Sequence, residues 1–211
     1  KGKMVFAVLC DGMGGLSKGE IASASLVNGY CKWVDNKLPI LCEEGFDDVD
    51  IRSDWTEIAI EYNEKIKNYG KKCGLASGLG TTVTAILLTE NRYYIINVGD
   101  TRVVAREIEQ GIITPEQAKN DVRRSVLLQC IGASEEVYPD MFFGDTKLNA
   151  VYMLCSDGFR HEISNEEIYN SLNPNVMVDA EGMKCNMQSL VELNKQRQER
   201  DNISVITVRT F

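Results

Sequence analysis

Apolar positions along this chain switch between two spacings. Val5–Leu9 is a short unbroken apolar run, the pattern of a strand covered on both faces. From Gly19 to Lys37 the spacing becomes helical. Ile21, Ala22, Ser25, Leu26, Gly29, Tyr30 and Trp33 fall on one stripe, which reads as core, and Pro39 is expected to end the helix. Glu43–Asp50 is acidic and irregular and reads as a surface loop. A second helix is predicted to start at Ser53 and Asp54, with Glu57 completing a capping box. Its stripe runs through Trp55, Ile58, Ala59, Tyr62 and Ile66 to about Tyr69, with Gly70 as the C-cap.

The β-branched run Thr81–Thr89, a tight turn at Asn91-Arg92 and the return Arg92–Val98 predict a hairpin. Ala105–Gly111 reads as helix, and Thr114-Pro115 starts another. Val126–Ile131 is apolar and Met141–Asp145 is a short element. Ala150–Cys155 reads as a buried strand. Ser164 and Glu167 form a capping box, Met187–Gln198 a further helix, and Ile203–Val208 a last strand. The chain shows no repeat, low-complexity tract or linker. One α+β domain over residues 1–211 is expected.

Charge and rare residues narrow the chemistry. A net charge of −8 argues against a nucleic-acid groove or an anionic membrane as partner. No apolar run approaches the ~20 residues of a membrane span, and no signal peptide is visible, so a cytoplasmic protein is expected. The seven cysteines, with no Cys-x-x-Cys, read as reduced buried thiols. His161 is the only histidine, which excludes zinc sites built on histidine clusters.

Four acidic turns stand at strand ends: Asp11-Gly12, Gly99-Asp100, Ser156-Asp157-Gly158 and Asp201-Asn202. Asp and Gly are ordinary turn residues, so any one of these could be turn chemistry alone. Taken together, converging carboxylates would repel one another unless a cation offset them. Oxygen ligands without histidine suit Mg²⁺ or Mn²⁺ better than Zn²⁺.

Asp11-Gly12-Met13-Gly14-Gly15, Gly80-Thr81-Thr82, Gly99-Asp100-Thr101-Arg102, Ser156-Asp157-Gly158 and Asp201-Asn202 occur in this order, each at its expected strand. The set resembles the metal-dependent phosphatases of the protein phosphatase 2C type, in the bacterial form. The resemblance implies a four-layer α/β/β/α sandwich of two antiparallel sheets flanked by helices. It implies hydrolysis of phosphoserine and phosphothreonine on proteins by a water bridging two Mn²⁺ or Mg²⁺ ions. Asp11 would bridge the ions, Asp157 and Asp201 would complete the first ion's shell, and the Gly12 carbonyl would ligate the second. Asp100 would order its turn, Asn202 would orient Asp201, and Thr81 and Thr82 would be core strand residues beneath the site. Phosphoproteins, a cognate Ser/Thr kinase among them, are the implied partners of a monomer.

Departures from the family pattern are also visible. The family carries an acidic residue and a phosphate-clamping Arg on a strand before the equivalent of Val5, and the sequence begins after that point. Met13 stands where eukaryotic relatives have a histidine acting as general acid. His161 is read as structural or surface rather than as its replacement. At Val103-Val104 the chain passes straight to Ala105, where the family has further strands and, in bacterial relatives, an Asp for a third ion. Missing residues are the expected cause, since the strand's edge would otherwise stay unpaired. Residues 108–124 resemble the bacterial flap beside the site. The alternative function is a pseudophosphatase or regulatory binding module of the same fold; retention of Asp11, Asp157 and Asp201 favours the enzyme.

Overall fold

The computed structural model describes residues 3–13, 18–75, 78–99 and 129–211. The turn at Asp100, the Val103-Val104 junction, the helices expected from Ala105 and Thr114, the flap and Gly14-Gly15 lie outside the described residues. Strands β1 (Val5–Leu9), β4 (Val83–Leu88), β5 (Arg92–Val98) and β6 (Asp140–Asp145) form a sheet in the order β1-β4-β5-β6. Two smaller antiparallel sheets pair β2 (Gly12–Met13) with β3 (Gly80–Thr81), and β7 (Val151–Cys155) with β8 (Val205–Arg209). Antiparallel sheets with flanking helices place the fold in the expected α+β class. Among the described residues no helix is long and apolar enough to cross a membrane.

Two compact units emerge. One comprises Cys10–Thr84 and Tyr94–Phe143. In it α1 (Gly19–Asn36) packs on α3 (Asp48–Lys72) through the predicted stripe: Ala22, Leu26, Tyr30 and Trp33 are buried, as are Trp55, Ala59, Tyr62 and Ile66. Trp55 is the centre of this contact. Its ring stands edge-on to Tyr30 at 6.1 Å and to Trp33 at 5.6 Å, and the Tyr30 hydroxyl donates to its carbonyl at 3.2 Å. Ile21, placed on the stripe from sequence, is exposed.

Boundaries in this unit differ from expectation. Pro39 opens a short helix, α2 (Leu38–Glu44), because proline suits a first turn whose N–H groups need no partner. The supposed loop Glu43–Asp50 therefore holds the end of α2 and the start of α3. Asp47, not Ser53 or Asp54, caps α3, with Asp50 closing the box. The earlier start also buries Ile51, one turn before Trp55. Gly70 lies inside α3, which runs on to Lys72.

The other unit comprises Lys1–Leu9, Ala85–Tyr93 and Gly144–Phe211. Phe159, Ile163, Leu172, Met177 and Leu190 form its core, between β7, β8 and the helices α4 (Asn165–Leu172) and α5 (Ala180–Gln196). The Ser164–Glu167 capping box forms as predicted. Helix α5 starts well before Met187: Asp179 caps it by accepting the Gly182 N–H at 2.8 Å, so the glycine sits in the first turn. None of the seven cysteines, all among the described residues, is in a disulfide, but Cys31, Cys42, Cys73 and Cys185 are exposed rather than buried.

Candidate active site

Asp11 follows the end of β1 and is held by its main chain. Its N–H donates to Thr82 Oγ1 at 3.0 Å. Its carbonyl accepts the Thr82 N–H at 2.8 Å and the Thr81 hydroxyl at 3.0 Å. Thr81 is fully buried, with its own backbone paired to Ile131. These threonines thus grip the Asp11 turn directly instead of only filling space below it. Gly12 faces Gly19 so closely that a Cβ on either would enter the other's backbone, which seats β2 against the start of α1. Burial, together with Asp11 and Cys31, pushes the neighbouring Cys10 thiol up to about 12, so it stays protonated and is a poor nucleophile.

In the other unit, β7 delivers Ser156 and Asp157. The Ser156 N–H donates to the Ser204 carbonyl at 3.0 Å, and its hydroxyl donates to the Asn202 carbonyl at 2.9 Å. The Ser204 N–H returns a bond to Ser156 Oγ at 3.0 Å. Residues Asp157–Phe159 then make one 3₁₀ turn. Gly158 lets the two acidic turns meet: a Cβ there would stand 2.6 Å from the Asn202 oxygen and 3.1 Å from Asp201 Cβ. Asp157 Oδ1 accepts the Gly158 N–H at 2.7 Å, and Asp201 Oδ1 accepts the Asn202 N–H at 2.8 Å. Both residues are exposed. Behind them the buried Asn194 of α5 donates to the Phe159 carbonyl at 3.0 Å, tying the turn to the helix.

Two further side chains adjoin this pair: Glu199, which the sequence did not single out, and His161, read from it as structural or surface. The Glu199 side chain is only 7% exposed, and His161 lies between it and Asp157. His161 Nδ1 is 3.1 Å from Glu199 Oε2, and Nε2 is 3.8 Å from Asp157 Oδ2. Glu199 Oε1 also accepts the N–H groups of Arg200 and Asp201, at 2.7 and 2.8 Å. Burial raises the Glu199 carboxyl, but those two N–H groups and His161 outweigh it and leave it below the usual carboxylate range. The 38 residues that separate Glu199 from His161 leave no local signal of the pairing.

The structure therefore joins the turns of Asp157 and Asp201 in one unit, while Asp11 and Gly12 belong to the other. Among the described residues no group of three or more His, Cys, Asp or Glu side chains converges to hold an ion. The donors themselves suit a hard cation. Asp157 and Asp201 are oxygen donors on turns that meet at Gly158, each with one oxygen engaged by its own turn. Residues 1–193 match the family profile of protein phosphatase 2C. The chain belongs to the protein phosphatase 2C family. That makes it a hydrolase, a protein phosphatase. Protein phosphatase PhpP of Streptococcus pneumoniae is 27% identical over 95% of this chain and 84% of its own length. Serine/threonine protein phosphatase PstP of Mycobacterium tuberculosis is 28% identical over 94% of this chain, which spans 39% of that relative. Among solved structures, the Streptococcus agalactiae serine/threonine phosphatase superposes with a TM-score of 0.81 at 24% identity, over 100% of this chain and 89% of that one. The PstP catalytic domain in complex with 2 manganese ions superposes at 0.74 and 24% identity, over 96% of this chain and 86% of that one. These likenesses show the 2C fold across the described chain.

Proposed function

We propose that this 2C phosphatase hydrolyses phosphoserine and phosphothreonine on proteins and depends on Mn²⁺ or Mg²⁺. Asp11, the Gly12 carbonyl, Asp157 and Asp201 would hold two ions. Bound there, a divalent pair supplies positive charge against the phosphoryl oxygens and a water acidic enough to attack phosphorus at neutral pH. The chain's own contribution is placement. Thr81 and Thr82 fix the Asp11 main chain, and Ser156 pins the Asp157 turn to Asn202 and Ser204. Met13 has no proton to give a leaving group, so that proton comes from elsewhere. One working domain, acting as a cytoplasmic monomer that opposes a Ser/Thr kinase, completes the reading.

The observation that carries it is the meeting of the Asp157 and Asp201 turns at Gly158. The test is turnover of p-nitrophenyl phosphate and of paired phosphoserine and phosphotyrosine peptides with added Mn²⁺. Activity should favour phosphoserine and vanish with EDTA and in Asp157→Asn. An absence of metal-dependent turnover sinks the proposal. A second reading, a regulatory binding module of the same fold, draws on the lack of a converged group of three ligands among the described residues. Calorimetry decides between them, since the binding module predicts no heat from Mn²⁺.

A further inference from the structure

The buried carboxylate of Glu199 has a geometry that surface turn chemistry does not require. A turn at the end of a helix can satisfy its N–H groups with water. Here one oxygen of a side chain that is 7% exposed takes two consecutive main-chain N–H groups, the second being that of Asp201 itself. The other oxygen faces His161 Nδ1 at 3.1 Å. An ionised carboxylate has no proton to donate, so Nδ1 carries the hydrogen and the ring orientation is set. That orientation brings Nε2 to 3.8 Å from Asp157 Oδ2. A single side chain thus holds the backbone of one acidic turn and orients an imidazole that stands near the other.

We propose that Glu199 is a positioning residue, which fixes the Asp201 turn through the main chain beside Asp157 and so presets the pair for a divalent cation. The inference rests on the metal-binding reading of Asp157 and Asp201 given above. Bonds from N–H groups to an ionised oxygen are among the stronger hydrogen bonds, and two to one atom restrict the Asp201 turn more than its own Oδ1 bond does. Partners that orient ligands in this way typically contribute 10–100-fold to metal affinity. The effect belongs to binding. Once the ion is saturating, the reacting groups are unchanged.

The experiment is calorimetric titration of Mn²⁺ into the full chain, with melting temperature in EDTA and turnover against Mn²⁺ concentration measured alongside. In Glu199→Ala the Mn²⁺ Kd should rise about 10-fold or more, while turnover at saturating Mn²⁺ recovers most of its wild-type value. Glu199→Gln keeps an oxygen for both N–H groups and should stay within about threefold of wild type in Kd. His161→Ala removes only the exposed arm, and should weaken binding by a smaller factor than Glu199→Ala. A Glu199→Ala protein that melts earlier yet binds Mn²⁺ as wild type does would overturn the proposal, leaving a structural role. Glu199→Gln binding as weakly as Glu199→Ala would overturn it too, and remains informative should the alanine variant not fold. Failure of the wild-type chain to bind Mn²⁺ would instead strike the metal-binding reading itself.

Discussion

Replacing Gly158 by alanine tests whether the contact between the two acidic turns matters. The added Cβ would stand 2.6 Å from the Asn202 carbonyl oxygen, whereas ordinary contact begins near 3.4 Å. The obstacle is backbone, so no side chain can swing aside, and the turns must separate by about 0.8 Å. Separation at that point stretches the Ser156 hydroxyl bond to the Asn202 carbonyl, now 2.9 Å. Overpacking of this kind typically costs ~1–3 kcal/mol. For a chain of this size that corresponds to a melting temperature lowered by about 2–12 °C. Catalysis should suffer more, because a displacement near 1 Å in a reacting constellation costs up to ~100-fold. We expect Gly158→Ala to lose at least about tenfold in p-nitrophenyl phosphate turnover at saturating Mn²⁺. The control is Gly78→Ala, whose Cβ meets nothing closer than 3.8 Å and should leave both quantities unchanged. Should Gly158→Ala match the control in melting temperature and turnover, the turns are not coupled as described and the reasoning fails.

Three other outcomes follow from the geometry. Trp55→Ala empties the contact between α1 and α3 and should cost ~3–5 kcal/mol, read as a lower midpoint in urea unfolding. Arg197 donates to both oxygens of Glu167 and, with the Ser164 backbone, holds that carboxyl down at about 2, against 4.5 for a free side chain. Its stabilisation is therefore present above pH 4.5 and is lost as the pH falls towards 2; the melting temperatures of wild type and Glu167→Gln should differ at pH 7 and converge over that window. Burial pushes the Cys130 thiol up to about 12, as it does that of Cys10. With a thiol reagent at pH 8, Cys31, Cys42, Cys73 and Cys185 should react quickly, and Cys10 and Cys130 only after denaturation.

What the sequence revealed was local. Asp157-Gly158 and Asp11-Gly12 were visible because an acidic glycine turn ends an apolar run, and the stripe from Ala22 to Trp33 because a helix repeats every 3.6 residues. The start of α3 was misread because Asp47–Asp50 and Ser53–Glu57 both offer capping chemistry; the hydrophobic contact of Ile51, visible only in three dimensions, selects the first. Helix α5 was cut short because its start at Ala180 is marked by the Asp179 cap on the Gly182 N–H, a contact seen only in three dimensions. The hold of Thr81 and Thr82 on Asp11 spans about 70 residues and uses main-chain atoms, which no residue spacing encodes. The pairing of Glu199 with His161 left no trace in the sequence for the same reason.

The Thr81–Thr82 grip has a consequence for how this chain tolerates change. It holds Asp11 by peptide N–H and C=O, atoms that every residue type except proline supplies in full. These bonds do not depend on what the side chain is. A descendant that exchanged the aspartate for asparagine would keep these main-chain bonds and the path of the turn. On the metal-binding reading proposed above, a ligand could thus be lost there without its backbone being rebuilt.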